Sequence, residues 1–213
     1  FPLPACIRRD RRASCRKDMM GKREVAKATK KKSPSGGGML ARLIEMPGIV
    51  EKTEAADFLN DLLAEARETK CARLSKIGAT GESADFLKGA LEGSPWLRGL
   101  LTGDAPMAER VLFTNPDEHL AVLGVTVREE VKAAEERAGA MELLRRYKNE
   151  AAALVALADL AGVWSVDRVI AAMTGIADTA VSASVDWLLA DAAGRGKLTL
   201  ADASAPSRES GYI

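Results

Sequence analysis

Two long stripes of apolar residues at helical spacing, over 127–161 and 166–192, meet at the tetrapeptide Gly162-Val163-Trp164-Ser165, and that junction limits the chain to very few folds. A glycine past the last periodic residue ends a helix, because it alone adopts a left-handed backbone without steric cost. Ser165 can then cap the next helix, with Trp164 and Val169 at the N′ and N4 positions of a hydrophobic staple. Two long helices joined by so short a connection must pack antiparallel. In the first, Val131, Ala134, Ala138, Met141, Leu144, Tyr147, Ala151, Leu154, Ala158 and Ala161 form the stripe. Unbroken, it would extend roughly 50 Å at 1.5 Å per residue, with Gly139 as the place for a bend. Its alanine run from Ala151 to Ala161 lets a neighbouring helix approach closely. In the second, Val166, Val169, Ile170, Met173, Ala177, Ala180, Val181, Ser184, Trp187 and Leu188 predict one broad buried face.

Upstream, the same spacing predicts shorter helices. Ala55, Phe58, Leu59, Leu62, Leu63 and Ala66 open a stripe that Leu74 and Ile77 prolong to Gly78. Ser83 is placed to cap a segment holding Phe86, Leu87, Ala90 and Leu91, which Gly93 closes. Ser94-Pro95 and Asn115-Pro116 each read as a cap followed by proline at the first helical position. After Ala192 the pattern breaks at Gly194 and Gly196, Leu198-Thr199-Leu200 allows a short strand, and Gly211-Tyr212-Ile213 resembles the start of another. The expected fold is therefore all-α: an antiparallel helical bundle with long helices, ending as the first strand of a truncated further domain begins. Residues 51–203 are the helical domain and 204–213 a loop leading into that strand.

Charge is distributed unevenly. Residues 1–32 carry a balance of +9 and the remainder −8, although the whole chain sums to +1. The basic stretch has no apolar periodicity and runs through Ser33-Pro34-Ser35 into the triplet Gly36-Gly37-Gly38, so 1–50 reads as a disordered leader and linker. A nucleic-acid-binding arm on a stand-alone helical interaction module is the alternative. With 47% apolar and 29% charged residues the body is an ordinary globular composition, not a collagenous or wholly disordered one. No run of about 18 apolar residues is present to cross a bilayer, and no secretory signal pattern opens the chain, so a cytoplasmic location is expected. Cys6, Cys15 and Cys71 are odd in number and widely spaced, which suggests neither a disulfide framework nor a zinc site.

Catalytic patterns are missing. Metal-dependent phosphoryl or nucleotidyl transfer needs carboxylates facing one Mg²⁺, usually Asp-x-Asp on a strand, and that tripeptide does not occur here. Asp57 with Asp61, and Asp117 with Glu118, fall on helix surfaces or at a helix start, where solvation or capping accounts for them. Gly194-Arg195-Gly196-Lys197 fails as a phosphate loop, since Asp191 replaces the first glycine and Leu198 the Mg²⁺-binding hydroxyl. His119, the single histidine, is expected to be a solvated surface residue rather than a general base. Arg145, Arg146 and Lys148 could clamp a phosphate or an acidic patch, but an Arg146–Glu150 pair one turn apart is the simpler expectation. Trp164 and Trp187 are expected to anchor the core. The sequence thus offers no catalytic, cofactor-binding or metal-ligating residue.

Several segments, taken in order, resemble a known family. Leu144-Arg145-Arg146-Tyr147-Lys148-Asn149-Glu150, Leu157-Ala158-Asp159-Leu160-Ala161-Gly162, Ile176-Ala177-Asp178-Thr179-Ala180 and Trp187-Leu188 are similar to the helical stretch of the bifunctional glutamine synthetase adenylyltransferase/adenylyl-removing enzymes. The likeness is clear over about 94–213, weaker over 51–93 and absent from the basic leader. It implies a large cytoplasmic enzyme with two nucleotidyltransferase domains, one removing AMP from glutamine synthetase by phosphorolysis and the other attaching it from ATP. It also implies Mg²⁺ and ATP as cofactors, with glutamine synthetase and a P-II type signalling protein as partners. In that family the strand equivalent to Gly211-Tyr212-Ile213 opens an α/β nucleotidyltransferase domain, truncated here on this reading, and leads to a glycine-rich turn and metal-binding carboxylates, which lie beyond Ile213. On this reading the chain is the N-terminal helical segment adjoining the adenylyl-removing half, a nucleotidyltransferase fragment inactive by itself.

Overall fold

A computed structural model describes residues 37–208. Residues 1–36 of the expected 1–50 leader and the expected strand at Gly211-Tyr212-Ile213 lie outside the described residues. Seven α-helices make up the described part: α1 (Lys52–Glu68), α2 (Glu82–Gly93), α3 (Pro95–Gly103), α4 (Ala105–Phe113), α5 (Pro116–Ala133), α6 (Arg137–Leu160) and α7 (Val166–Gly194). No strand occurs among the described residues, and 198–200 is irregular. The all-α expectation holds. Helices α1 to α4 pack on one another as a group of short elements, and α5, α6 and α7 pack as a trio of longer ones. Helix α6 belongs to both, since α3 and α4 also lie against it. One continuous core results, with Phe86, Leu59, Leu62, Leu101, Leu112, Leu154 and Leu157 fully buried.

The best-specified turn forms as its residues dictate. Gly162 takes φ +63°, and Ser165 accepts a hydrogen bond from the Arg168 N–H at 3.4 Å. Ser94 and Asn115 cap α3 and α5 by accepting from the Leu97 and Asp117 N–H groups at 3.2 and 3.0 Å. Helix α4 adds to the expected set and obeys the same grammar: Asp104 accepts from the Met107 N–H at 2.9 Å and Pro106 stands in the first turn.

Four expectations about the helices need correction, and three of them have a tertiary cause. The single rod over 127–161 is two helices that fold back antiparallel. At Ala134 the backbone leaves helical geometry, with ψ 123°, and its carbonyl accepts the Trp187 indole N–H at 2.8 Å. A bond from α7 thus takes up the carbonyl at the break, where neither glycine nor proline marks it. Helix α1 stops at Glu68 instead of running to Gly78, because Lys70 adopts φ +57° and Leu74–Lys76 forms a 3-10 turn. Glu109 of α4 accepts the Arg73 and Leu74 N–H groups at 2.8 and 2.7 Å and caps that turn from outside. The N-cap of α2 is Gly81, and Ser83 lies inside the helix.

The fourth correction concerns α7. Of its expected face, Trp187 is buried and Val169 and Ala180 pack against the core, whereas Val166, Ile170, Met173, Val181 and Leu188 are 48–69% exposed. The face that packs inward is smaller-chained: Ala172, Ile176, Thr179 and Ala183. Small side chains let α5 and α6 approach more closely than a ridge of Ile, Met and Leu would permit, so the helix turns that edge inward. Helix α7 is long and apolar enough, by length and composition alone, to cross a membrane.

The packed body also begins well before residue 51. Met39 is fully buried, its N–H donates to the Thr114 carbonyl at 3.2 Å, and the Ile44 and Glu45 N–H groups both donate to the Ala161 carbonyl. Residues 39–45 therefore strap the end of α4 to the α6–α7 turn. Close behind, the Pro47 carbonyl packs on Gly89, where an added Cβ would sit 2.5 Å from its oxygen. Ordinarily Gly→Ala inside a helix stabilises by roughly 1 kcal/mol. Here contact reverses the sign: Gly89→Ala is expected to destabilise by about 1–3 kcal/mol through overpacking. Gly99→Ala in α3, with open space around the new methyl, is expected to stabilise by about 0.5–1 kcal/mol. Urea melts of the two variants read the opposite signs.

Candidate functional site

The most highly charged buried feature is a node where α4, α5 and α6 meet. Each helix brings one side chain: Arg110 from the last turn of α4, His119 from the first turn of α5, and Glu150 from the middle of α6. The short Thr114-Asn115 connection and the Asn115 cap bring the first two close together. The α5–α6 hairpin then lays Glu150 across from His119. Arg110 Nε and Nη2 donate to Glu150 Oε1 and Oε2 at 3.0 and 2.7 Å, a two-pronged pairing that fixes both planes. His119 Nε2 donates to Oε1 at 2.8 Å. Both His119 and Glu150 are 8% exposed.

Burial by itself pushes the Glu150 carboxyl up. The hydrogen bonds and charges of His119 and Arg110 outweigh it and bring the group down to about 2. The Arg110 guanidinium is held more firmly protonated, chiefly by its hydrogen bond to Glu150. Beside the node, burial raises the Tyr147 hydroxyl. Every Glu150 oxygen is occupied, so the carboxylate is not available to take a proton from a substrate. Its chemistry is that of a tie between three helices.

The expected roles change accordingly. His119 is not a solvated surface residue; it is buried and bound. Glu150 does not pair with Arg146, because Arg110 and His119 take its oxygens, and only their separation by 40 and 31 residues in sequence hid this. Arg145 instead reaches Glu142 at 3.6 Å, and Lys148 is exposed. Asp117 bridges elements, pairing with Arg168 at 3.0 Å and approaching Arg42 at 3.9 Å. Asp57 and Asp61 lie exposed on α1, and Glu118 at the start of α5 is also exposed. Gly194 ends α7 and Arg195 to Lys197 form the turn after it, with Arg195 bonded to Asp191 at 3.0 Å. Trp164 and Trp187 are buried anchors, as expected, with the Arg168 guanidinium stacked 4.4 Å from the Trp164 ring centre.

Two shallow grooves flank the node. One, of about 260 Å³, is lined by His119, Leu123, Val127, Arg146 and Tyr147; the other, of about 270 Å³, by Gly99, Gly103, Asp104, Arg146 and Asn149. A larger cavity of about 430 Å³ lies between the end of α5, α7 and the segment after it, and contains Arg128, Lys132, Glu135, Asp186, Trp187 and Ser204. Among the described residues no group of three His, Cys, Asp or Glu is close enough to hold a metal. These residues therefore do not fit the Mg²⁺ that the resemblance implies.

Comparison with known proteins gives a consistent outcome. The profile of the family described as glutamate-ammonia ligase adenylyltransferase matches residues 87–209. A protein of Bradyrhizobium diazoefficiens named bifunctional glutamine synthetase adenylyltransferase/adenylyl-removing enzyme is 39% identical over 178 residues, 84% of this chain and 18% of its own length. Proteins of the same name from Mesorhizobium japonicum and Brucella suis are 36% and 32% identical over 77% of this chain and 17% of theirs. The chain thus spans less than a fifth of the length of these relatives. No solved structure matches.

A tie of this kind has a measurable pH signature. Replacing Glu150 by Gln leaves Arg110 and His119 facing a neutral amide. The expected cost is roughly 3 kcal/mol near neutral pH, at the low end for a buried pair because the Arg110 side chain is 48% exposed. The folded carboxyl lies below its ordinary value of 4.5, so its stabilisation is complete above that pH and is lost as pH falls toward about 2. Denaturant melts of parent and Glu150→Gln should converge over that acid window and differ most above it. A difference independent of pH would remove the carboxylate from the account.

Proposed function

Because the chain belongs to the glutamate-ammonia ligase adenylyltransferase family, we propose that it is the N-terminal helical segment of an enzyme that adenylylates and deadenylylates glutamine synthetase, next to the adenylyl-removing half. The observation that carries this reading is the match itself: the family profile runs from α2 to the segment after α7, and the relatives named above align over 77–84% of this chain but only 17–18% of their own length. What the chain supplies is position. Reaction rates fall steeply when reacting groups shift by an ångström, so a rigid platform beside a catalytic domain has chemical value without touching substrate. The Arg110–Glu150–His119 tie and the strap over 39–45 supply that rigidity.

On this reading Mg²⁺ and ATP bind elsewhere in the longer polypeptide, glutamine synthetase is the protein acted on, a P-II type protein carries the nitrogen signal, and the setting is cytoplasmic. The segment itself makes and breaks no bond. Incubated alone with adenylylated glutamine synthetase, Mg²⁺ and phosphate, the chain is expected to release no ADP. Added in excess to the Bradyrhizobium diazoefficiens relative, it is expected to slow adenylyl removal by competing with the relative's own helical segment for the catalytic domain that the segment positions. ADP produced by the chain alone would overturn the proposal, and so would an unchanged rate in the competition.

A further inference from the structure

The outward edge of α7 carries a seam with unusual regularity. Val166, Ile170, Met173, Ala177, Val181, Ser184 and Leu188 succeed one another at spacings of four, three, four, four, three and four. That is two successive repeats of eleven, whose period of about 3.67 residues drifts only slowly around a helix of about 3.6 residues per turn, so one face keeps the stripe along its length. No charged residue stands on it, and its five large members are 48–69% exposed. Isolated exposed apolar residues are ordinary, but a contiguous stripe over most of a long helix is a mark of contact.

The two borders of the seam differ in charge. The residues preceding seam positions, Val169, Ala172, Ile176, Ala183 and Trp187, face α5 and α6, so α6 borders the seam on that side. There Arg137, Met141 and Leu144 join Trp187 and Leu188 in an apolar groove of about 190 Å³. Arg137, Met141, Arg145 and Lys148 keep helical spacing, and Arg145 and Lys148 are exposed. This part of the border is basic, and of its cations only Arg145 meets an acid, Glu142; the same spacing runs on through Ala152 and Ala156 to the exposed Asp159, which ends the basic stretch. The residues one position after the seam form the other border, which holds Asp167 and Asp178 and no base.

We propose that the α6–α7 face docks an amphipathic helix of a partner polypeptide, with its apolar stripe on the Val166–Leu188 seam and an acidic edge toward Arg137, Arg145 and Lys148. Charge disfavours a second copy whose α7 runs antiparallel, because the two-fold axis then sets each border against the same border of the other copy, basic against basic and acidic against acidic; a copy with α7 parallel is the outcome that the oligomeric state below tests. A helix with one acidic edge meets the basic border without that conflict. The proposal concerns a surface, and stands or falls independently of where glutamine synthetase binds.

The probe is a labelled peptide as long as the seam, with leucines at matching spacing, glutamates along one edge and glutamines along the other, compared with a version bearing lysine in place of every glutamate. With the full chain, fluorescence anisotropy is expected to show the glutamate peptide binding about tenfold more tightly, the gap closing in about 1 M salt. Ile170→Asp with Met173→Asp should abolish binding of both peptides. Arg145→Glu with Lys148→Glu should invert the preference; all four positions are exposed, and circular dichroism checks that helix content is kept. Equal affinities, or no binding, would overturn the proposal. So would a dimeric mass in light scattering that Ile170→Asp abolishes, which assigns the face to a second copy, or recovery on phosphatidylcholine–phosphatidylglycerol vesicles, which assigns it to lipid.

Discussion

A carboxylate enclosed by three helices must be neutralised or the helices cannot meet, and the rest of the architecture depends on how Glu150 is satisfied. Bringing a charge out of water costs several kcal/mol, and only good geometry with every lone pair engaged recovers it. Arg110 and His119 provide that geometry from two different helices. Their demand fixes the rotation of α4 and α5 about their axes and the register of α5 against α6. Hydrophobic burial alone would tolerate several neighbouring registers, because alanine and leucine ridges slide with little penalty. The charge does not tolerate them.

Similar long-range bonds decide where helices stop. Ala134 and the Leu74 turn carry no intrinsic stop signal of their own. In each case a group from a distant element supplies the missing partner: the Trp187 indole for the Ala134 carbonyl, and the Glu109 carboxylate for the Arg73 and Leu74 amides. The first of these turns a long rod into a hairpin, and the hairpin is what brings His119 opposite Glu150. Helix α7, through Trp187, therefore acts on the same node from a distance. The strap over 39–45 closes the other side by placing two N–H groups on the Ala161 carbonyl.

A body built in this way divides its charges by purpose. Those that hold elements together, Arg110, Glu150, His119, Asp117 and Arg168, are paired across helices. Those on the outer ridges of α6 and α7 are mostly left facing solvent beside an apolar stripe. Relatives of which the match covers only 17–18% make such a surface intelligible, since a helical segment of a longer polypeptide, as proposed, has neighbours to meet.

The helices, and the sharp turn between α6 and α7, were legible in the sequence because their signals are local. Gly162 must take a positive φ, Ser94, Asn115 and Ser165 each cap the helix that starts beside them, and apolar spacing marks the helical segments. Asp104 before Pro106 carried the same local signal for α4. The family, too, could be read from ordered segments such as 144–150 and 157–162. Three features were decided only in three dimensions. The bound state of His119 and Glu150 depends on groups 31 and 40 residues apart, which no spacing rule connects. The inward edge of α7 depends on which side chains are small enough for α5 and α6 to approach, whereas periodicity specifies an arc and leaves its rotation open. The break at Ala134 depends on a hydrogen bond from 53 residues away. Local stereochemistry writes itself into neighbouring residues; the cost of burying a charge or a carbonyl is settled by whatever the fold brings beside it.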